Sequence, residues 1–142
     1  MADTRTRALM LAVALIVLSG RAIAHHGDSG RYEDKLTTVT GVLEQVQLVN
    51  PHSILILAVT GADGQVVRWR GELGSAVGMR RWGWMRDYLQ VGETLTMTGR
   101  RLKNGSPFMT LSEGAQVTDA QGRVLYRGNN PGEPDHPPVP GR

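Results

Sequence analysis

The sequence predicts an all-β domain with one short helical connection, built as a small OB-like five-stranded Greek-key barrel. Three observations carry this. β-Rich segments fill most of the span from Thr37 to Glu72, a stretch of different period follows, and two or three more β segments run from Val91 to Tyr126. Turn clusters at Gly61–Gly64, Lys103–Pro107 and Thr118–Gly122 separate the segments. Three strands, a helical connection and then further strands is the element order of an OB-fold. A different small antiparallel barrel or sandwich with the same strand count is the competing arrangement.

Each element has a local reason. Thr37 to Val49 is rich in β-branched residues, with Val39 and Leu43 on one alternation phase and Val46 and Leu48 on the other. Such a slip predicts a bulge near Gly41 to Glu44, because one inserted residue lets both halves face the same core. Asn50-Pro51 interrupts the ladder, since proline has no N–H to donate. Ser53 to Val59 resumes as a nearly continuous apolar strand, and Val66 to Glu72 returns from the Gly61–Gly64 turn as the second arm of a hairpin. From Gly74 to Leu89 the apolar positions suit one or two helical turns, with Ser75 placed to cap them. Leu95 and Met97 then alternate with Thr94, Thr96 and Thr98 as a fourth strand. Phe108 to Val117 reads as the next, and Val124 to Tyr126 as a short last one.

The ends of the chain differ in kind. Met1 to Arg7 is polar with two arginines, Ala8 to Ser19 is an apolar run of twelve residues, and Ala22-Ile23-Ala24 offers small residues where a signal peptidase reads them. This pattern predicts a Sec-type signal peptide over 1–24, and hence a periplasmic protein. A membrane anchor is the alternative, but spanning hydrocarbon takes about 20 apolar residues, and Arg21 closes the run short of that. No second apolar segment follows, so no stable membrane span is expected after cleavage. Residues 25–36 are expected to form an N-terminal arm, 37–127 the barrel, and 128–142, with five of the seven prolines, a disordered tail.

Composition narrows the function classes. The 142 residues carry a formal charge of +3, but Arg5, Arg7 and Arg21 belong to the expected signal. What remains has 13 basic and 12 acidic residues over 118 positions, a balance that offers little to a nucleic-acid partner. The absence of cysteine excludes disulfides and thiolate chemistry. No G-x-S-x-G, H-E-x-x-H or phosphate-binding glycine loop is present. His52 and Ser53 are adjacent and would point to opposite faces of a strand. Nothing in the sequence nominates an enzyme.

Two groups of residues remain as candidates. Cleavage after Ala24 would place His25 first, so that its α-amine and ring nitrogen form a chelate for Cu(II), with imidazole from His26 or His52 completing a nitrogen-rich site. Zn(II) is the second metal that imidazole suits. Neutral amine and imidazole are the binding forms, so affinity is expected to rise with pH through their titration range. The bland alternative is that the paired histidines are solvated and that His52 bonds a loop carbonyl. Asp28, Glu33 and Asp34 suit surface solvation better than ligation, and His136 lies among prolines. The second group interleaves basic and aromatic residues: Arg81, Trp82 and Trp84 on the helical connection, with Trp69 on the preceding strand. These could form a Trp/Arg face for a periplasmic protein, a glycan or another envelope ligand. Alternatively, Trp82 or Trp84 plugs an open end of the barrel.

Several of these segments recur together in a known family. His25-His26-Gly27 after a signal ending at Ala24, Val39-Thr40-Gly41-Val42, Asn50-Pro51-His52, the Trp69 strand, Arg81-Trp82-Gly83-Trp84, Val91-Gly92-Glu93 and Thr98-Gly99 resemble the bacterial exported family catalogued as domain of unknown function 6152. The resemblance runs from about His25 to Tyr126. It implies export and a small β-rich domain, supplies no established activity, and suggests that His25, His26 and His52 belong together. Members often have Ser or Gly-Trp-Ser after the histidine pair, where this chain has Gly27-Asp28-Ser29 without the aromatic residue.

Overall fold

The computed structural model describes residues 30–81, 83–84 and 88–128. The expected signal peptide, His25, His26, Trp82, His136 and the proline-rich segment beyond Gly128 lie outside the described residues. Strands make up 53% of what is described, with one short helix. In chain order the elements are β1 (Tyr32–Gln47), β2 (Ile54–Thr60), β3 (Val66–Glu72), α1 (Ala76–Arg81), β4 (Thr94–Leu102), β5 (Phe108–Thr110), β6 (Gln116–Asp119) and β7 (Val124–Arg127).

Five of these strands close a barrel in the order β1-β2-β3-β5-β4 and back to β1, and the β6–β7 hairpin extends the sheet from β4. All barrel pairings are antiparallel except β3 with β5, which is parallel. With α1 between β3 and β4, this is the expected OB arrangement. Two boundaries differ from the sequence reading. β1 begins at Tyr32, inside the stretch expected as an arm, because Tyr32 and Leu36 still find partners on β4 across an irregularity. The expected strand from Phe108 to Val117 is two strands: Leu111 N–H donates to the carbonyl of Glu72, and a turn at Glu113-Gly114, with Gly114 at φ +73°, redirects the chain into β6.

Barrel closure depends on β1 changing partner midway. Its first half pairs with β4, from Leu36 opposite Arg100 to Val42 opposite Thr94, and its second half pairs with β2, from Val42 opposite Ala58 to Gln47 opposite Ile54. The register shifts between Leu43 and Gln45, where the phase slip predicted it. The shift turns Val39, Leu43 and Val46 all toward the core. Gly41 stands at the bend, where an added Cβ would lie 2.5 Å from the carbonyl oxygen of Ala58, so only glycine lets β2 approach this closely.

The core comprises Leu43, Leu55, Leu57, Met79, Leu95, Met97, Met109, Leu111, Val117 and Leu125, all at most 2% exposed. α1 covers the end of the barrel where β3 finishes and β4 starts. Ser75 caps it, accepting the Gly78 N–H on its Oγ at 3.1 Å. Its other end closes with Trp84 N–H donating to the Met79 carbonyl at 3.0 Å and Gly83 N–H to that of Arg80 at 3.1 Å, with Gly83 at φ +88°. This is a Schellman motif, and it drives Trp84 inward.

Candidate functional site

The loop joining β1 to β2 holds the one candidate histidine among the described residues. The loop is anchored on both sides. Ser53 is fully buried; its N–H donates to the Gly74 carbonyl at 2.9 Å, and its own carbonyl accepts from Leu73 N–H at 2.8 Å. The Val49 carbonyl accepts from Ala76 N–H at 3.1 Å. His52 therefore stands between a cis Asn50–Pro51 peptide and a residue sealed into the barrel end.

Its ring is oriented by a carboxylate. Nδ1 of His52 lies 2.8 Å from Oε1 of Glu72, with the two side chains 53% and 22% exposed. Glu72 ends β3 opposite Ile54, two residues beyond His52, so the hairpin register delivers the carboxylate to the loop. A neutral imidazole that donates Nδ1–H to this carboxylate carries its lone pair on Nε2. A second-shell carboxylate on one ring nitrogen is the usual arrangement for a histidine that ligates metal through the other. Glu72 went unnoticed in the sequence, although counting back from the Gly61–Gly64 turn pairs it with Ile54. Among the described residues no three His, Asp or Glu side chains gather into a complete metal site.

The described members of the Trp/Arg group, Trp69, Arg81 and Trp84, do not form one surface. Trp84 is 1% exposed, so its expected place on a ligand-binding face is corrected: Nε1 donates to the Leu125 carbonyl at 3.0 Å, and the ring packs 5.4 Å from Tyr88 and 6.0 Å from Tyr126 between centroids. It plugs the barrel end. Trp69 is half-buried, lies opposite Leu57 and carries the Arg101 guanidinium 5.3 Å over its ring. Arg81 is exposed at the end of α1, and Trp82 lies outside the described residues.

The sequence profile of the Family of unknown function (DUF6152) matches residues 12–110. The chain belongs to this family. No curated protein and no solved structure matches it. The DUF6152 match covers the His52 loop and Glu72, and it ends at the last residue of β5, so the five barrel strands fall within it while the β6–β7 hairpin follows it. No helix among the described residues is long and apolar enough to cross a membrane.

Two further groups show how this DUF6152 barrel handles charge. Asp119, 7% exposed, has its carboxyl group raised by burial, yet N–H donors from Arg123 and Gln121 and the Arg123 guanidinium outweigh this and hold it below the usual range. Arg68 is held above its usual range by hydrogen bonding and attraction to Glu44, with Nε 2.7 Å from Oε2.

Proposed function

We propose that this is an exported, periplasmic protein that binds a borderline divalent metal, Cu(II) before Zn(II), with Nε2 of His52 as the ligand held by the barrel. The observation that carries this reading is the His52–Glu72 contact at 2.8 Å on a half-exposed ring, which suits a tautomer with its lone pair on Nε2. The remaining ligands come from the amine and ring of His25 and the ring of His26, which together with His52 make the nitrogen-rich set that Cu(II) prefers.

Chain length supports the combination. Tyr32 pairs with Leu102, and the adjacent Arg101 pairs with Met109, which lies opposite Gly71, the neighbour of Glu72. Tyr32 and Glu72 are thus three strand spacings apart across the sheet and two residues apart along it, about 16 Å. The seven residues from His25 to Arg31 span up to about 24 Å when extended, enough to bring His25 to His52.

The test is copper and zinc content by elemental mass spectrometry on tag-free protein after native signal cleavage, with intact mass confirming His25 as the first residue. Near-stoichiometric metal is expected. His52→Ala should weaken binding by at least tenfold. Glu72→Gln should weaken it by about ten- to a hundredfold, the usual effect of losing a carboxylate behind a ligating histidine. One extra residue before His25 should remove the amine contribution. Correctly processed protein that takes up neither ion, or His52→Ala with unchanged affinity, overturns the proposal.

A further inference from the structure

The arginines of the barrel fall into two kinds. Arg68 is paired with Glu44, and Arg123 lies 2.8 Å from Asp119. Among the described residues Arg70 and Arg100 have no ion pair and no side-chain hydrogen bond, and Nε of Arg100 is buried without an acceptor. Burying the Nε of Arg100 without an acceptor is costly, and Arg70, exposed on the same sheet, has no anion beside it either, so the two call for a partner.

Both lie on one outer surface. Met109, paired with Gly71 and with Arg101, is fully buried, so these positions face the interior and the residues on either side of them face out. The outward row across the sheet is then Ile54, Glu72, Thr110 and Arg100, and the row beside it is Ile56, Arg70 and Phe108. Glu72, the carboxylate in these rows, is engaged by His52. The surface therefore presents two uncompensated guanidiniums two strands apart, a half-buried phenyl ring between them, and a threonine hydroxyl.

We propose that the outer face of β3, β5 and β4 binds an acidic oligosaccharide, with Arg70 and Arg100 receiving carboxylates on different sugar units and Phe108 lying under a sugar ring. Guanidinium and carboxylate match as planar, two-bond partners. The Thr110 hydroxyl beside them can both donate to and accept from sugar hydroxyls. A single-stranded nucleic acid fits the same face less well. It would want a continuous cationic groove with successive aromatic platforms, whereas here there are two guanidiniums, one ring and a carboxylate. This proposal does not depend on the metal reading, because no ligand atom of that site takes part in it.

The experiment is calorimetric titration of the full mature chain with hexagalacturonate in buffer containing EDTA, with maltohexaose as the uncharged comparator and oligo-dT as the nucleic-acid comparator. Hexagalacturonate should bind, more weakly as salt rises, and maltohexaose should not. Arg70→Ala and Arg100→Ala should each weaken binding about ten- to a hundredfold, the usual range for a lost charged hydrogen bond. Arg100→Lys, which keeps the charge but not the fork, should fall between Arg100→Ala and the native protein. Arg81→Ala, at the far end of α1, should change nothing. Arg70 is exposed, so Arg70→Ala tests the proposal even where Arg100→Ala folds poorly. The idea is overturned by absence of hexagalacturonate binding at millimolar concentration, by equal binding of maltohexaose, or by tighter binding of oligo-dT. Folded Arg70→Ala binding like the native protein also overturns it.

Discussion

The two ends of the barrel are closed by different physics. At the end where β3 finishes, α1, Trp84 and Tyr126 form an apolar plug whose polar atoms are engaged: the indole N–H donates to the Leu125 carbonyl at 3.0 Å, and the Tyr126 hydroxyl donates to the Leu111 carbonyl at 2.9 Å. At the opposite end, Arg101 lies over Trp69 and donates to the carbonyl of Gly105, while its Nε is buried without a partner. The first end gains from area removed from water and from satisfied hydrogen bonds. The second relies on one cation over one ring, and its polar atoms are only partly paired. Stability should therefore be concentrated at the plugged end, next to the anchored loop of His52.

Trp84→Ala is the largest test of that difference. It empties a fully enclosed aromatic site and leaves the Leu125 carbonyl unpaired, and the expected loss is about 3–5 kcal/mol, read as a shifted urea midpoint. A loss below about 1 kcal/mol would show that the plug is not what holds this end. Next in size is the response to alkali. Burial pushes the Tyr126 phenol up to about 12. The unfolded chain ionises this group near pH 10, so the folded state is favoured fully below that and loses the contribution as pH rises from about 10 to 12. Stability measured across that interval should fall, and Tyr126→Phe should flatten the fall while lowering neutral-pH stability by about 1 kcal/mol through the lost hydrogen bond. An unchanged alkaline limb in Tyr126→Phe would assign the fall to another group. The smallest effect belongs to the other end, where Arg101→Ala should cost less than about 1 kcal/mol. A cost equal to that of Trp84→Ala would erase the contrast.

Much of this barrel was legible along the chain. The phase slip between Val39/Leu43 and Val46/Leu48 announced the bulge, because a strand that buries both phases against one core must insert a residue between them. Ser75 announced the start of α1 through its side-chain oxygen. The split of Phe108 to Val117 was missed, although Ser112-Glu113-Gly114 carried a turn signal that the apolar residues around it outweighed. Trp84 was ambiguous by nature. Its neighbours Arg80 and Arg81 suit an exposed helix end, and only the Schellman turn at Gly83 directs the next residue inward.

Alternation, caps and turns act over a few residues, so the sequence alone was sufficient for the all-β class, the order of elements from β1 to β4, the bulge and the Asn50-Pro51-His52 loop. Pairing between distant strands leaves no local mark. That β1 serves both β2 and β4, that β3 runs parallel to β5, and that Arg70 and Arg100 share a surface were decided only when the barrel closed, because register across a sheet is set by the mutual fit of side chains far apart in the chain. The contact between His52 and Glu72 lies between these extremes: the hairpin places the carboxylate at the right height, and the loop pinned by Ser53 turns the ring to meet it.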